Sequence, residues 1–212
     1  LIYNGYDKQL FYPKTQNSTY FDIVYTGRII NTQLRNPDLL FAALQELIEQ
    51  QQICPCFVRM LWYTDKASQA SIVDAVQKYP LLATLMRFYD LIPAKDIPAL
   101  LWSSSVVLVL SNKATQEGPK GIMTTKFFEA LGTEKPVLCV RSDEACLASA
   151  IEKTNAGVAA TNVEEVKAFL LEKYQQWRQQ GYTQQAVNQA EKSLFSRQEQ
   201  AQAFENIIQS IL

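Results

Sequence analysis

The stretch Val106-Val107-Leu108-Val109-Leu110 is an unbroken aliphatic run, typical of a strand that is buried on both faces of a parallel sheet. A short segment with helical character, 95–102, precedes this run. A long polar loop, 111–123, follows it and leads into another helical segment. Further apolar runs recur along the chain, and segments of helical period separate them. This alternation predicts a parallel sheet that is covered by helices on both faces.

Six strands and the helices between them are predicted from this pattern. The predicted strands are 23–26, 57–63, 87–92, 106–110, 136–140 and 157–160. The first helix is predicted to have Asn36 as its N-cap and Pro37 at its first position. The other helices are predicted at 66–78 after the cap Asp65, at 95–102, from Thr124-Thr125, at 144–153, after the cap Asn162 and after the cap Ser196. We therefore expect an α/β fold with a Rossmann-like, three-layer α/β/α parallel sheet.

The chain has 212 residues, of which 48% are hydrophobic, and this fits one α/β unit with a sizeable core. We divide it into a lead-in, 1–22, a Rossmann-like body, 23–194, and a C-terminal helix, 195–212. The helix carries one apolar stripe, which must pack on this domain or on a missing one. The stripe consists of Phe204, Ile207, Ile208 and Ile211. Because the sequence begins at Leu1 rather than at a methionine, we expect it to be a piece cut from a longer polypeptide.

The charge balance and the absence of histidine exclude several classes of function. Lys and Arg number 20 against 21 Asp and Glu, which gives a net charge of -1, so we expect no nucleic-acid partner. Without histidine the chain cannot build a Ser/His, Cys/His or His-metal site by itself. Any chemistry must therefore use carboxylates, Lys, Arg, hydroxyl groups or backbone dipoles, and no metal cofactor is expected.

The four cysteines show neither the C-x-x-C spacing of a zinc or redox site nor the density of a disulfide scaffold. We therefore expect Cys54, Cys56, Cys139 and Cys146 to be small buried thiols without a function, in a reducing cytoplasm. The longest uncharged stretch, 97–112, is interrupted by a proline and three serines, and it is too short and too polar to span a bilayer. No signal peptide opens the sequence, and we expect a cytoplasmic location.

Ligands of an open α/β sheet bind at the carboxyl ends of its strands, so the loops that follow the strands are the places to look for a site. Gly27-Arg28 follows the first strand, and Arg35 lies further along the same loop. A glycine lets a ligand approach the backbone, and a guanidinium can hold a phosphate through two hydrogen bonds. The alternative is that both arginines are ordinary solvated residues.

The loop after the fourth strand contains GPKG at 118–121 and leads into the helix that opens at Thr124-Thr125. The first amides of a helix have no intrahelical acceptor and attract an anion, so this junction is predicted to cradle a phosphate. Glu129 lies one turn inside the helix, on the same face as Lys126, and is well placed to accept both hydroxyls of a ribose. The alternative is that Lys126 and Glu129 form an ordinary i,i+3 surface pair.

Five segments carry a resemblance to one known family. They are NGYD at 4–7, YTGR at 25–28, IP at 97–98 ahead of the strand 106–110, KFFEALGTEKPVL at 126–138 and AG at 156–157. The fourth is the most specific, because it is similar to the pattern K-x-x-E-x-x-A-x-G-x-P-V. In this order, and over nearly the whole chain, the segments resemble the C-terminal, donor-nucleotide-binding domain of GT-B-fold glycosyltransferases, particularly family 4, also called group 1.

The resemblance implies that a nucleotide-diphosphate sugar binds at the carboxyl edge of the sheet. It assigns Glu129 to the ribose, the amides at the start of the helix to the diphosphate, and the loop at Ile92 to the base. Arg28, with Arg35 as a second basic residue, would hold the phosphates. The implied donor-binding residues are Gly27, Arg28, Arg35, Ile92, Gly121, Thr124, Thr125, Lys126 and Glu129, and the catalytic candidates are Arg28, Lys126 and Glu117.

Two departures from the pattern of the family concern the residues that would hold the donor. Members commonly carry a lysine a few positions after the arginine of G-R, whereas here Arg35 is the nearest substitute. In the family's E-x7-E pattern a first glutamate stands eight residues before the second, whereas here that position is Gly121 and Glu117 lies four residues earlier. Either Glu117 takes the role through a differently bent loop, or the sugar is held in another way, or the donor specificity has changed.

Family members transfer a hexosyl group from the nucleotide to an acceptor hydroxyl, commonly with retention at the anomeric carbon. The resemblance implies that positive side chains and helix amides stabilise the departing diphosphate without a metal. The acceptor site would come from an N-terminal Rossmann domain that this chain lacks, and a peripheral membrane acceptor would be reached through that domain. The chain alone is therefore expected to bind the donor without turning it over.

Two other functions stay open. The missing first glutamate also fits a non-catalytic module that binds a nucleotide sugar. A nucleotide-sugar epimerase of the same fold is the other, although such enzymes usually depend on carboxylates and histidines in both halves, and this chain has no histidine. A flavodoxin-like or receiver domain is disfavoured, because it would need acidic clusters or flavin-contacting aromatic residues at the strand ends.

Overall fold

The sheet is the centre of the molecule. The computed structural model describes residues 3–29, 32, 35–111, 121–140 and 145–211. Six strands, all paired in parallel, lie in the order β3-β2-β1-β4-β5-β6. They are β1 (Phe21–Thr26), β2 (Val58–Tyr63), β3 (Met86–Tyr89), β4 (Val106–Leu110), β5 (Val137–Val140) and β6 (Gly157–Ala160). The predicted Rossmann-like α/β fold class is confirmed.

Helices connect the strands and follow the last one. They are α1 (Asp38–Glu49), α2 (Lys66–Val76), α3 (Ile97–Ser103), α4 (Thr125–Thr133), α5 (Ala145–Thr154), α6 (Val163–Gln180), α7 (Gln189–Ser193) and α8 (Arg197–Gln209). Among the described residues, no helix combines the length and the apolar character that are needed to cross a bilayer.

Side chains alternate across each strand between two apolar cores. Ile23 and Tyr25 of β1 belong to the core under α1, α2 and α6, whereas Val24 between them belongs to the core under α3, α4 and α5. The sheet therefore lies between two helical layers, as the sequence predicts. The periodic face of α6 is buried throughout: Val166, Phe169, Leu170, Tyr174 and Trp177.

The strand order reverses next to β1, and this reversal determines where a ligand can bind. β1 pairs with β2 on one side and with β4 on the other, so the connections leave the sheet in opposite directions. A crevice opens outside the carboxyl ends of the strands at such a switch point. Here it lies between Gly27, which follows β1, and the segment that leads into α4.

The predicted caps Asp65, Asn162 and Ser196 are confirmed, because each accepts a hydrogen bond from the backbone N–H three residues later. Asn36 is not the cap of α1. Pro37 occupies that position, and Asn36 Oδ1 accepts from the Asp38 N–H at 2.8 Å from one residue further out.

The strand predictions are confirmed to the residue for β4 and β6, and other boundaries shift for local reasons. β2 starts one residue late because 55–57 forms a 3-10 turn. β3 ends at Tyr89, and Leu91 and Ile92 after it line a cavity. The predicted helix 95–102 is a 3-10 turn at 94–96 followed by α3. The other predicted elements differ by one or two residues at an end: 23–26, 66–78, 136–140 and 144–153, with Glu144 itself outside the described residues.

Part of the lead-in packs on the body. Tyr6 and Phe11 are buried beside α4, where Gly132 leaves room for them: a Cβ atom at 132 would lie 2.7 Å from Phe11 Cβ. The Tyr6 N–H donates to the Phe195 carbonyl and the Arg197 N–H donates to the Tyr6 carbonyl, both at 2.9 Å. We call this pairing of residue 6 with 195–197 the terminal clamp. It ties the lead-in to the start of α8.

The apolar stripe of α8 stays exposed. The exposed fractions are 57% for Phe204, 47% for Ile207, 45% for Ile208 and 78% for Ile211. No described residue of α8 is buried. The stripe therefore does not pack on the part of this domain that the structure describes, and its packing on another domain stays a prediction.

The prediction of four buried thiols is wrong. Cys54 and Cys56 form a disulfide, and both are exposed. Cys146 is an exposed thiol, and only Cys139 is buried as expected. The cause is the 3-10 turn at 55–57, which folds the chain so that the two Cα atoms of the pair lie 5.5 Å apart, within the reach of a disulfide.

Candidate functional site

A cavity of about 170 Å³ opens at the carboxyl ends of β1 and β2, beside the first turn of α4. It lies at the switch point of the sheet, where an open α/β fold binds its ligand. Loops that are far apart in the sequence meet here. Five of the predicted donor-binding residues line this cavity: Gly27, Ile92, Thr125, Lys126 and Glu129.

Gly27, just after β1, lets the cavity extend up to the backbone because it has no side chain. Its φ of +109° is a conformation that side-chain-bearing residues rarely adopt. Its N–H donates to the Tyr63 carbonyl at 2.8 Å, which ties the loop to β2. A Cβ atom at position 27 would lie 2.8 Å from Lys126 Nζ, so the glycine leaves the space that the lysine occupies.

Lys126 places a poorly solvated cation in the cavity. Burial lowers the pKa of Lys126 to about 8, the charge of Arg35 acts in the same direction, and Glu129 opposes both. Nζ lies 5.2 Å from the centre of the Tyr25 ring, which gives the ammonium a cation–π contact in place of part of its water shell. A group of this kind gains from an anion that approaches it.

Glu129 lies one turn further into α4. Burial raises the pKa of Glu129, whereas the positive charges of Lys126 and Arg197 oppose that shift. Glu129 and Lys126 are both partly buried and line the same cavity, so they do not form an ordinary solvated surface pair. The two side chains present one acceptor and one cation to a ligand in the cavity.

The N-terminus of α4 supplies backbone donors. Thr124 is the N-cap of α4, and its side chain accepts no hydrogen bond from the helix. The first amides of α4, next to Lys126, therefore point toward the switch point with their partial positive charge. Gly121 has a φ of +78°, so it turns the chain just ahead of this helix. The rest of the predicted phosphate loop, with Glu117, lies outside the described residues.

The two predicted arginines lie beside the cavity without lining it. Arg28 Nε lies 3.0 Å from Asp65 Oδ2, and the side chain of Arg28 is 70% exposed. Arg35 donates from Nη1 to the Arg28 carbonyl at 2.7 Å, and the Tyr25 hydroxyl donates to the same oxygen at 3.0 Å. Arg35 thus steadies the loop that carries Gly27, while Arg28 is directed at the N-cap of α2. Their roles in donor binding stay predictions.

Sequence reasoning missed four residues that line the cavity: Thr26, Tyr63, Leu91 and Ile97. Tyr63 is the last residue of β2, and its ring stacks on that of Tyr89 at the end of β3, with centroids 4.7 Å apart and planes at 15°. For Thr26 and Tyr63 the available signal was their position at the end of a strand. Only the strand order, however, brings the end of β2 next to that of β1.

Neither a family model nor a curated protein matches the sequence. Solved structures match its fold. HepE of Anabaena, solved with UDP-glucose, has a TM-score of 0.66 at 18% identity, and the match covers 99% of this chain and 57% of HepE. Sucrose-phosphate synthase of Thermosynechococcus elongatus has a TM-score of 0.66 at 16% identity and covers 100% of this chain and 52% of its own. The C-terminal domain of LpcC, a glycosyl transferase group 1 family protein of Francisella tularensis, has a TM-score of 0.55 at 14% identity, with coverages of 85% and 100%.

The fold matches that of a GT-B glycosyltransferase domain. At identities of 18% and below, this likeness concerns the fold alone. The chain spans a little over half the length of HepE and of the sucrose-phosphate synthase, at 57% and 52%. It matches the LpcC domain over that domain's full length.

Proposed function

We propose that this chain is the C-terminal, donor-binding domain of a GT-B glycosyltransferase of family 4, and that its cavity binds a nucleotide-diphosphate sugar. One observation carries the proposal: Lys126 and Glu129 face the same cavity at the switch point of the sheet, beside Gly27 and the first amides of α4. The ammonium of Lys126 and the amides can hold the negative diphosphate, and the carboxylate of Glu129 can accept hydrogen bonds from the ribose hydroxyls. HepE, which is similar in fold, was solved with UDP and with UDP-glucose.

The chemistry that follows is electrostatic. In hexosyl transfer, negative charge builds on the departing diphosphate while the sugar takes on oxocarbenium character. Lys126 and the α4 amides lie where they would oppose that negative charge, and Arg28 would join them by leaving Asp65. Glu129 would hold the ribose and so fix the distance between nucleotide and reacting carbon. We propose that these groups act without a metal and that the configuration at the anomeric carbon is retained.

Turnover is proposed to need a second domain. The acceptor would bind on an N-terminal Rossmann domain of the same polypeptide, and the exposed stripe of α8 would pack on that domain. The acceptor could then lie at a membrane surface without any contribution from this chain. A cytoplasmic location stays a prediction.

Nucleotide binding is the first test. The chain is mixed with UDP, GDP, ADP and CMP in turn, and the melting temperature is recorded for each. A nucleotide at one hundred times its dissociation constant adds about 2.7 kcal/mol to the unfolding free energy, enough to raise the melting temperature by several degrees. We expect one base to give this rise and Glu129→Ala to reduce it. No rise with any nucleotide would contradict a donor site in this chain.

Transfer is the second test, and it separates the enzyme from its alternatives. The longer polypeptide, supplied with the nucleotide sugar of the preferred base, is expected to form a glycosylated acceptor. Binding without transfer would favour the non-catalytic module. Conversion of the donor into its epimer without an acceptor would favour the epimerase.

A further inference from the structure

The Cys54–Cys56 disulfide lies at the amino-terminal edge of the sheet, opposite the candidate donor site. β2 begins two residues after the pair, and Ile53 ahead of it is 1% exposed. The pair is therefore attached to the fold on both sides while its own residues stay exposed. The proposed donor chemistry does not use it.

This bridge closes a very short loop, since only Pro55 separates the two cysteines. The entropy that a crosslink removes from the unfolded chain grows with the length of the closed loop, so a three-residue loop gains little. Exposed disulfides belong to the class that exchanges with thiols in solution rather than to the buried structural class. A bridge with both properties is suited to exchange.

Cys56 lines an open cavity together with Arg59 and Arg87. Arg59 forms two hydrogen bonds of 2.7 Å with the carboxylate of Asp22, which compensates its charge. Arg87 donates to two backbone carbonyl oxygens, at 2.9 and 2.8 Å, and these are neutral. Among the described residues around this cavity, the guanidinium of Arg87 leaves a net positive charge beside the disulfide.

We propose that Cys54 and Cys56 form a thiol–disulfide exchange site for a small anionic thiol of the glutathione class, which docks in the cavity beside Arg87. A glutathione thiolate attacks the Cys56 sulfur, the bond between the two cysteines breaks, and Cys54 leaves as a thiolate that takes up a proton. A second glutathione thiolate then attacks the glutathione sulfur of the mixed disulfide. Cys56 leaves as a thiolate, and glutathione disulfide is released. Two glutathione molecules thus supply the two electrons, and the reverse reaction oxidises the protein.

Exchange at this site also has a local reporter. The 3-10 turn at 55–57 carries Phe57, whose ring centroid lies 6.0 Å from that of Trp177 and under the guanidinium of Arg178 at 4.8 Å. Opening the bridge frees the turn and changes the surroundings of Trp177. We expect the tryptophan emission to change with the redox state in the wild type and not in Cys54→Ser/Cys56→Ser.

The test is a redox titration of the folded chain in the Cys146→Ser background, which removes the other exposed thiol. Samples are equilibrated with glutathione and glutathione disulfide in set ratios and quenched by alkylation, and the protein mass is then measured by mass spectrometry. Two alkyl groups on Cys54 and Cys56 are expected under reducing ratios and none under oxidising ratios. In Cys54→Ser the glutathione adduct on Cys56 is expected to accumulate under oxidising ratios, because Cys54 can no longer attack Cys56 and displace glutathione from it.

Arg87→Gln tests the docking cavity. We expect it to slow oxidation by glutathione disulfide about threefold, because one positive charge at the cavity is lost, and to leave oxidation by the neutral hydroxyethyl disulfide unchanged. If Arg87→Gln is oxidised as fast as the wild type by each of the two disulfides, the docking of an anionic thiol beside Arg87 is overturned. A pair that resists native reduction at every ratio, or stays as free thiols in glutathione disulfide, would overturn the exchange site itself.

Discussion

Gly27 and Lys126 contact each other across the switch point of the sheet, with no room for a Cβ atom between them: such an atom would lie 2.8 Å from Nζ and 3.0 Å from Cε. The contact joins the end of β1 to the first turn of α4. It places the cation of the cavity against bare backbone, where the diphosphate of the proposed donor would meet both. Most of the expected behaviour of the site follows from this pair.

Gly27→Ala is expected to weaken both folding and nucleotide binding. A side-chain-bearing residue at φ +109° is strained by about 1–3 kcal/mol, and the new methyl group displaces the Lys126 ammonium. Urea unfolding measures the first effect and calorimetric titration with the preferred nucleotide the second. Gly181→Ala is the matched control, because Gly181 has a φ of +78°, a Cβ atom there would make only ordinary van der Waals contacts with Asn17 at 3.5–3.7 Å, and Gly181 does not line the cavity. If that control loses binding equally, strain alone accounts for the effect.

Lys126→Met is expected to abolish most nucleotide binding while leaving the unfolding free energy unchanged or higher at pH 7. Burial holds the pKa of Lys126 at about 8, so the charged side chain opposes folding, and its removal relieves about 1–3 kcal/mol. Chemical denaturation and nucleotide titration on the same sample measure both effects. Loss of stability together with unchanged binding would assign Lys126 to packing alone.

Stability and binding are expected to respond to pH in opposite directions between pH 7 and 9. The pKa of Lys126 in the folded state, about 8, lies below its ordinary value of 10.5, so the folded protein releases this proton first as the pH rises. Lys126 therefore adds about 1 kcal/mol to the unfolding free energy as the pH rises from 7 to 9. Diphosphate affinity, by contrast, falls about tenfold over the same interval as Lys126 loses its charge.

Lys135 provides the control for this pH dependence. It is buried ahead of β5, at the other edge of the sheet, and burial also lowers its pKa to about 8. Lys135→Met is expected to remove its share of the rise in stability with pH and to leave the pH dependence of nucleotide affinity intact. Loss of the affinity profile in Lys135→Met, or its persistence in Lys126→Met, would show that another group controls binding.

Glu129→Gln is expected to lower nucleotide affinity about tenfold, because a charged acceptor for the ribose hydroxyls becomes a neutral amide. The ribose assignment is tested by a cycle of two proteins and two ligands, the nucleoside diphosphate and its 2′,3′-dideoxy analogue. We expect the analogue to bind both proteins with similar, weak affinity. If Glu129→Gln binds the analogue about tenfold more weakly than the wild type does, Glu129 acts at a group other than the ribose hydroxyls.

Asp65→Asn is expected to raise nucleotide affinity about two- to threefold at low salt, since it releases Arg28 from an exposed ion pair of 3.0 Å. Asn caps helices as well as Asp does, so α2 and the melting temperature should be preserved. Calorimetry at two salt concentrations measures the gain and its screening. Lower affinity in this variant would indicate that Asp65 holds Arg28 in its binding position.

The layered fold could be predicted because each element carries its own local signal. The predicted bounds of β4 and β6 agree with the structure to the residue. Asp65, Asn162 and Ser196 cap their helices as expected. Capping and strand burial are decided by a few neighbouring residues.

The site could be predicted only in part, because its remaining features depend on distant contacts. Gly27, Lys126 and Glu129 follow from loop and helix signals, whereas Tyr63 reaches the cavity only through the strand order. The pairing of Arg28 with Asp65 joins two loops 37 positions apart, and no local pattern specifies it. The Cys54–Cys56 bridge was missed for the opposite reason, since it depends on one turn at 55–57.

The terminal clamp has a mechanical consequence. Tyr6 and Ser196 are bridged in parallel, so tension between the start of the chain and α8 pulls the two segments past each other. The backbone hydrogen bonds of the clamp then share the load in shear instead of opening one after another. Force applied through these segments reaches α4 through the buried rings of Tyr6 and Phe11, which share a core with Phe127, Phe128 and Leu131 of that helix.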